Sequence, residues 1–221
     1  MILKAIYLKI GDLGLPTEYT YGFKKGSRFI CHYLERECLK KAKFQVEGFD
    51  RVVIALREVP KEGVFVNSAK AACVELGYRR EEYEQKSGTE LTHYYIDQLR
   101  NGLGKMERSY NIPIAELNGC LDEFIDGGCR NEWVHQRKVF RDAAMEAVLA
   151  CRLDAQKFSL LLTLRRKGET VFEDVILETD PDENAFDYRF KDIELKGDAV
   201  VITSKTSEPL KVMCLADLVA R

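Results

Sequence analysis

The sequence lacks long apolar runs and any strong imbalance of charge. No stretch approaches the roughly 20 consecutive apolar residues that a membrane-spanning helix needs, so we expect no membrane partner. The net charge is only −2 over 221 residues, which gives no global field that would attract nucleic acid or an anionic membrane. We therefore do not expect nucleic acid to be the main partner.

Cysteine and histidine are present without the spacing that disulfide frameworks or metal sites require. Seven cysteines are an odd number, and their scattered positions favour free thiols in a reducing cytoplasm. A structural zinc site needs four ligands, usually with closely spaced pairs. The two candidate groups, which lack such pairs, are Cys31, His32 and Cys38, and Cys120, Cys129 and His135. We predict a cytoplasmic protein with no metal and no cofactor.

Phosphate-binding and catalytic motifs are missing as well. The four glycines from Gly11 to Gly26 do not have the spacing of a phosphate-binding loop. No Gly-x-Ser-x-Gly elbow surrounds a serine, and the three histidines leave few bases that could activate a nucleophile. The sequence therefore favours a binding protein over an enzyme.

The composition is that of one folded domain. Hydrophobic residues make up 46% of the chain and charged residues 32%, which is typical of globular proteins. No internal repeat or low-complexity linker divides the chain, so we predict a single domain over residues 1–221. Its expected sub-regions are mixed α/β over 1–80, helical over 81–154 and antiparallel β over 155–221.

The N-terminal part combines short apolar runs with one amphipathic stretch. Ile2–Ile10 is apolar on both alternating sets except at its lysines, which predicts an inner strand and argues against a signal peptide. The order strand, helix, strand suggests a crossover unit. The predicted elements are the strand Ile2–Ile10, a loop or irregular edge hairpin over 11–26, a helix from Ser27 to Ala42, strands Val52–Leu56 and Val64–Val66, and a helix from Asn67 or Ser68 to Gly77.

Two long runs in the middle of the chain have apolar residues at steps of three or four. These runs are Thr89–Tyr110 and Asn131–Cys151. Such spacing places an apolar stripe along one side of a helix. We therefore predict amphipathic helices in both runs, with a shorter helix, Ile114–Ile125, between them.

From Phe158 the apolar period changes to two, which is typical of half-buried strands. We predict strands that start at Phe158 and continue over Val171–Glu178, Phe186–Leu195 and Ala199–Ser204, joined by short turns. The tail from Pro209 could be a strand or a helix. The predicted fold class is α+β, with a mixed N-terminal α/β part, central amphipathic helices and a C-terminal four-stranded antiparallel meander.

Charge departs from the background in residues 173–194, which we call the acidic segment. It contains nine acids against Arg189 and Lys191. Such density protects a sheet edge, or it forms a surface that docks a basic partner. On the second interpretation, the protein is a non-catalytic cytoplasmic protein-binding protein, of the inhibitor or immunity type, that masks a basic partner surface through an acidic β-hairpin. The predicted partner-binding residues are Glu178, Asp180, Asp182, Glu183, Phe186, Asp187 and Tyr188, with an aromatic anchor at Phe186 or Tyr188.

Two other functions stay open as alternatives. A hydrolase or transferase could divide acid and base roles among the carboxylates and the imidazole of Asp122, Glu123, Asp126 and His135. A weak single-stranded nucleic-acid binder could use the basic residues 1–43, where aromatic residues are interleaved with lysine and arginine. Phe29 and Tyr33 weaken the second alternative, because their spacing places them on the core side of a helix.

Overall fold

The structure of the protein, a computed structural model, describes residues 1–11 and 14–218. Asp12 and Leu13, which belong to the predicted loop, and residues 219–221 of the predicted tail lie outside the described residues. The chain divides into two compact units, Met1–Asn131 and Glu132–Arg221. The single domain proposed for the whole chain stays a prediction, and each unit is described below by itself.

The first unit contains a small mixed sheet with helices. Its strands are β1 (Ala5–Ile10), β2 (Arg51–Arg57), β3 (Val64–Val66) and β4 (Ala71–Gly77). Its helices are α1 (Thr17–Leu34), continued by a π-helical turn (Glu35–Leu39) into α2 (Lys40–Ala42), then α3 (Arg80–Glu84), α4 (Gly88–Glu107) and α5 (Ile114–Asp126). The predicted long helix near Thr89 and the shorter helix near Ile114 are therefore confirmed.

The sheet has the strand order β1-β2-β4-β3, with β1, β2 and β4 parallel and β3 antiparallel to β4. The predicted crossover from β1 through a helix to β2 is confirmed. However, β1 is an edge strand, and its buried residues alternate with half-buried and exposed ones. The prediction of an inner strand covered on both faces is therefore wrong, since only one face of β1 packs into the core.

Two other local predictions in this unit are corrected. Helix α1 starts at Thr17, directly after Pro16, and not at Ser27. Gly26 lies inside the helix because the Tyr95 side chain packs against it, and a Cβ atom there would lie 2.6 Å from the Tyr95 hydroxyl oxygen. The predicted helix that ends near Gly77 is instead β4, because residues 71–77 pair in parallel along the whole of β2.

Helix α4 covers the inner face of this sheet at very close range. A Cβ atom on Gly102 would lie 2.6 Å from the Ile54 side chain on β2. Nearer the start of α4, Tyr95 shares a hydrogen bond of 3.1 Å with Tyr83 of α3, between their hydroxyl groups. Burial raises the pKa of the neighbouring Tyr94 to about 12. These contacts close the inner face of the sheet against helices.

Side chains of the helical segment bond the outer edge of β1. The Ile6 N–H donates to Glu35 Oε1 at 3.0 Å, and Arg28 Nη1 donates to the Ile6 carbonyl oxygen at 3.3 Å. Arg28 and Glu35 are buried and form a bidentate pair, with distances of 2.9 and 2.7 Å. The Ser27 hydroxyl donates to the Leu8 carbonyl oxygen at 3.1 Å. The edge strand is thus covered by side chains, which blocks further strand pairing there.

The second unit consists almost entirely of strands. They are β5 (Asn131–Phe140), β6 (Met145–Leu153), β7 (Phe158–Arg166), β8 (Glu169–Thr179), β9 (Asp192–Lys196), β10 (Ala199–Thr203) and β11 (Pro209–Cys214). A short helix, α6 (Glu183–Phe186), precedes β9, and a 3₁₀ turn (Leu215–Leu218) follows β11. The tail that begins at Pro209 therefore contains a strand.

The predicted helix over Asn131–Cys151 is wrong, because this run forms β5 and β6 with a turn between them. The α+β class and a four-stranded antiparallel sheet are confirmed, but the sheet has the order β5-β6-β7-β8. Strands β9, β10 and β11 form a separate antiparallel sheet. The predicted strand that starts at Phe186 begins only at Asp192.

Aromatic stacking and side-chain hydrogen bonds join the two sheets of the second unit. The Phe158 ring on β7 stacks on Phe186 at a centroid distance of 3.9 Å and on Phe190 at 5.5 Å. Along the outer edge of β9, the Ile193 N–H donates to Gln136 Oε1 at 2.9 Å. Lys138 Nζ donates to the Ile193 carbonyl oxygen at 2.7 Å. The edge of β9 is thus bonded by side chains from β5.

Candidate binding surface

The acidic segment runs along β8, through α6 and into β9, so it is not the hairpin that we predicted. Strand β8 pairs with β7, whereas β9 pairs with β10 in the other sheet. The Asp182 carboxylate caps α6 by accepting a hydrogen bond of 3.0 Å from the Asn184 N–H. This local fold follows from the aromatic residues of the segment, because Phe186 and Phe190 turn inward onto Phe158.

Phe186 belongs to the core of the second unit. Its side chain is only 2% exposed and stacks on Phe158. A partner could not reach this ring, so the prediction of Phe186 as an anchor is wrong. Tyr188 is 50% exposed, with the Arg189 guanidinium 5.8 Å from its ring centroid. Tyr188 is therefore the accessible aromatic residue of the predicted pair.

Several acids of the segment contact lysines of the same unit. Glu178 pairs with Lys157 and accepts a hydrogen bond of 3.1 Å from the Ser159 hydroxyl. The hydrogen bond from Lys157 is the main reason why the pKa of Glu178 lies below its usual value. Asp187 pairs with Lys205 at 2.5 Å. Part of the negative charge is therefore balanced within the unit.

Strand β8 presents the longest outer edge of the second unit. It spans 11 residues, and along the described residues it has a neighbouring strand on one side only. Glu173, Asp174 and Asp180 are exposed along and just after it, and Val175 is 42% exposed. The register shifts twice along the β7–β8 pair, which interrupts the edge in the way that discourages indiscriminate pairing.

Glu173 and Asp174 were not among the partner-binding residues that we predicted. The Glu173 carboxylate accepts a hydrogen bond of 3.2 Å from the Thr163 hydroxyl, and Asp174 accepts one of 2.9 Å from the neighbouring Val175 N–H. The sequence signal was present, because residues 173–187 contain no lysine or arginine. We define the acidic edge as Glu173, Asp174, Val175, Asp180 and Tyr188.

Two of the four residues of the enzyme alternative, Asp122 and His135, have side-chain contacts within their own unit. On α5, Asp122 pairs with Arg100, and Glu123 and Asp126 lie on the same helix in the first unit. On β5 in the second unit, His135 Nε2 lies 3.1 Å from the Lys191 carbonyl oxygen, and the His135 ring packs edge-on against Phe190. These contacts give Asp122 and His135 structural roles.

The aromatic residues of the nucleic-acid alternative are divided between core and surface. Phe23 and Phe29 are buried, whereas Tyr21 is 41% exposed. Lys24 and Lys25 both lie over the Tyr21 ring, at 5.9 and 4.5 Å from its centroid. Tyr21 and its two lysines therefore present the expected combination of a ring and positive charge at the surface.

Over residues 1–11 and 14–218, no group of three or more His, Cys, Asp or Glu side chains is arranged to hold a metal ion. No helix in the same ranges is both long enough and apolar enough to cross a bilayer. Comparison with protein-family models, with curated proteins and with solved structures gives no significant match.

Proposed function

We propose that the protein is a non-catalytic binding protein that docks a basic surface of another protein through the acidic edge. The observation that carries the proposal is the long outer edge of β8, where exposed carboxylates stand beside the half-exposed Val175. Carboxylates around such an edge increase the association rate with a basic partner and select against acidic ones. The outward N–H and C=O groups of β8 could also bond an extended segment of that partner.

Tyr188 supplies the aromatic contact that such a surface needs. Aromatic residues often provide much of the binding energy at the centre of a protein interface. The ring is half-exposed, and the Arg189 guanidinium packs against it. In this proposal, Tyr188 binds in a pocket of the partner while the carboxylates pair with its lysines or arginines.

An inhibitor or immunity-type role is the form of this function that we propose. A protein of this type masks an active site that is rich in lysine or arginine, and charge complementarity would make the masking fast. We also propose that the protein acts in the cytoplasm, because all seven of its cysteines are free thiols and a reducing compartment preserves such thiols.

The test is a charge reversal on the acidic edge with a matched control. One variant changes Glu173, Asp174 and Asp180 to lysine, and Asp182 is left intact because it caps α6. The control changes the exposed acids Glu47, Glu62 and Asp97 of the first unit to lysine, with the same change in net charge. Both variants and the unaltered protein are used for quantitative affinity purification from the native source, and each partner is then titrated at several salt concentrations.

We expect the acidic-edge variant to lose its partner by at least about tenfold in Kd, mainly through slower association. The control variant should bind as the unaltered protein does. The Tyr188→Ala variant should weaken binding through faster dissociation. If both charge-reversal variants retain the same partners equally well, or if the partner presents an acidic contact surface, the proposal is wrong.

A further inference from the structure

The outer face of the sheet in the first unit leaves several apolar side chains partly exposed. Tyr7, Val53 and Cys73 are half-buried on this face, and Phe65 is 49% exposed. Parallel sheets are usually covered on both faces. Here only the opposite face, which carries Ile54, packs against α4. The outer face therefore leaves apolar side chains available for a ligand.

A hollow of about 290 Å³ lies on this outer face. Tyr7, Val53 and Ala71 form part of its lining on β1, β2 and β4, and Lys24 and Arg28 of α1 line it as well. Asn67 is also part of the lining, and its side-chain oxygen accepts hydrogen bonds of 3.0 and 3.1 Å from the Ala69 and Ala71 N–H groups. The loop that borders the hollow is thereby held in place without a ligand.

The charge around the hollow has a single sign. Four basic residues line it, and none of the described lining residues is acidic; the basic residues are Lys9, Lys24, Arg28 and Arg51. Glu35 pairs with Arg28 at 2.7 Å and Asp50 pairs with Arg51 at 2.9 Å, so the net positive charge of the lining comes mainly from Lys9 and Lys24. Positive charge beside a partly buried apolar surface attracts an anion more strongly than it would in open water.

Arg28 also fixes one wall of the hollow. Its guanidinium group lies 5.2 Å from the Tyr7 ring centroid while it pairs with Glu35. This arrangement presents the Tyr7 ring in one orientation, with cationic groups around it. A flat apolar group can pack on such a ring, and an attached anion would lie near Lys9 and Arg51.

We propose that this hollow binds a small anionic ligand, a phosphate or carboxylate carried on one flat apolar ring. The volume is close to the lower limit of ordinary ligand sites, about 300 Å³, so a single ring with one anionic group fits better than a larger molecule. The site lies in the first unit and does not depend on the acidic edge. The outcome of its test is therefore independent of the function proposed above.

The experiment uses the full-length, ¹⁵N-labelled protein, four small probes and an oligothymidylate. Phenyl phosphate and benzoate carry both a ring and an anion, inorganic phosphate carries only the anion, and benzyl alcohol carries only the ring. Amide shifts of Tyr7, Lys9 and Val53 give the site and the Kd of each probe. Variants Lys9→Gln, Arg51→Gln and Tyr7→Leu are compared with Lys61→Gln, an exposed lysine outside the hollow, and thermal unfolding confirms that each variant is folded.

At least one ring-bearing anion should bind at this site about tenfold or more tightly than either inorganic phosphate or benzyl alcohol, a difference of about 1.4 kcal/mol. Tighter binding of phenyl phosphate would identify a phosphate ligand, and tighter binding of benzoate a carboxylate ligand. Lys9→Gln and Arg51→Gln should each weaken binding at least about threefold, because positive charge near the hollow attracts the anion. Lys61→Gln should not weaken binding.

Three results would overturn the proposal. The first is no shift with any probe at millimolar concentration. The second is binding of benzyl alcohol or inorganic phosphate as tight as that of the ring-bearing anions, which would mark a merely apolar or a merely cationic patch. The third is binding only of an oligothymidylate, with a steep dependence on salt, which would mark a nucleic-acid surface. Loss of partner binding by the acidic-edge variant would leave all of these results unchanged.

Discussion

Both units contain an edge strand whose outward backbone groups are bonded by side chains instead of another strand. In the first unit Ile6 is bonded by Glu35 and Arg28, and in the second Ile193 is bonded by Gln136 and Lys138. The side chains at the two edges differ in burial. The Arg28 and Glu35 side chains are 8% and 10% exposed, whereas the Lys138 and Asp192 side chains are 36% and 32% exposed.

This difference determines what each edge contributes to stability. A buried ion pair stabilises little overall, but removal of one partner leaves the other charge desolvated, which is costly. A half-exposed amide or ammonium group can bond to water when its partner is lost. We therefore expect the first edge to be sensitive to single substitutions and the second edge to tolerate them.

The largest effect is expected for Glu35→Ala. This change removes the carboxylate from Arg28 and the acceptor from the Ile6 N–H, and it should lower the free energy of unfolding by about 3–5 kcal/mol. Near-UV circular dichroism during urea unfolding reports on the first unit, because nine of the ten tyrosines lie in residues 1–131.

The neighbouring acid provides the control for this prediction. Glu37 pairs with Arg36 and Lys41 near the surface, so Glu37→Ala should cost about 0–1 kcal/mol. Equal losses for the two variants would show that burial does not distinguish the two pairs.

The next effect concerns the inner face of the same sheet. Gly102→Ala would place a Cβ atom 2.6 Å from Ile54, so we expect a loss of about 1–3 kcal/mol from overpacking. Gly104→Ala on the same helix meets nothing within 4 Å and should stabilise the protein by about 0.5–1 kcal/mol. Urea unfolding of both variants measures the difference, and stabilisation by both changes would contradict the close approach of α4.

A smaller effect is expected at the edge of β9. Gln136→Ala removes one of the two acceptors of the Ile193 N–H, which also donates to Asp192 Oδ1 at 2.8 Å, and it removes the Gln136 Nε2 donor that lies 2.7 Å from Asp192 Oδ1. The free energy of unfolding should therefore fall by about 1 kcal/mol. Fluorescence of Trp133, which lies in the second unit, follows the unfolding. The exposed Gln156 serves as the matched control, and Gln156→Ala should change stability by less than about 0.5 kcal/mol. If Gln136→Ala lowered the free energy of unfolding as much as Glu35→Ala does, the two edges would not differ in their sensitivity to substitution.

The smallest effect is a loss of stability at low pH that originates at the edge of β9. The hydrogen bond from Lys138 is the main cause that lowers the pKa of Asp192 below its usual 3.8, with further bonds from Gln136 and the Ile193 N–H. A lowered pKa in the folded state stabilises the fold at neutral pH, and this contribution is lost as the pH falls between about 5 and 2. Lys138→Met should raise the pKa of Asp192 toward 3.8, as followed by ¹³C NMR titration. An unchanged titration would rule out Lys138 as the cause.

The sequence predicted those elements whose pattern agrees with their environment. The amphipathic period from Thr89 and the short helix after Pro113 became α4 and α5, and the alternation after Phe158 became β7. The missed elements are those decided by distant pairing. Residues 71–77 contain a mixed Ala-Ala-Cys-Val pattern, and only the parallel partner β2 makes them a strand.

The run after Asn131 shows a second reason for failure. Its apolar residues match a helical period over β5 and β6 together, yet the turn over residues 141–144, with Ala144 at φ 47°, separates two strands. The candidate site was predicted only in part for a related reason. Charge density can be counted from the sequence, whereas the inward turn of Phe186 and the outer edge of β8 depend on which strands pair.

The two edge strands, β1 and β9, also differ in the sequence separation between the edge and the side chains that bond it. Ile6 is 22 residues from Arg28 and 29 from Glu35, so the first edge can close before β2 has been synthesised. Ile193 is 57 residues from Gln136, and doubling a loop adds about 0.6 kcal/mol of closure entropy. During translation, the edge of β1 would therefore be covered by the helix that follows it, whereas the bonds between β5 and the edge of β9 can form only after most of the second unit has emerged.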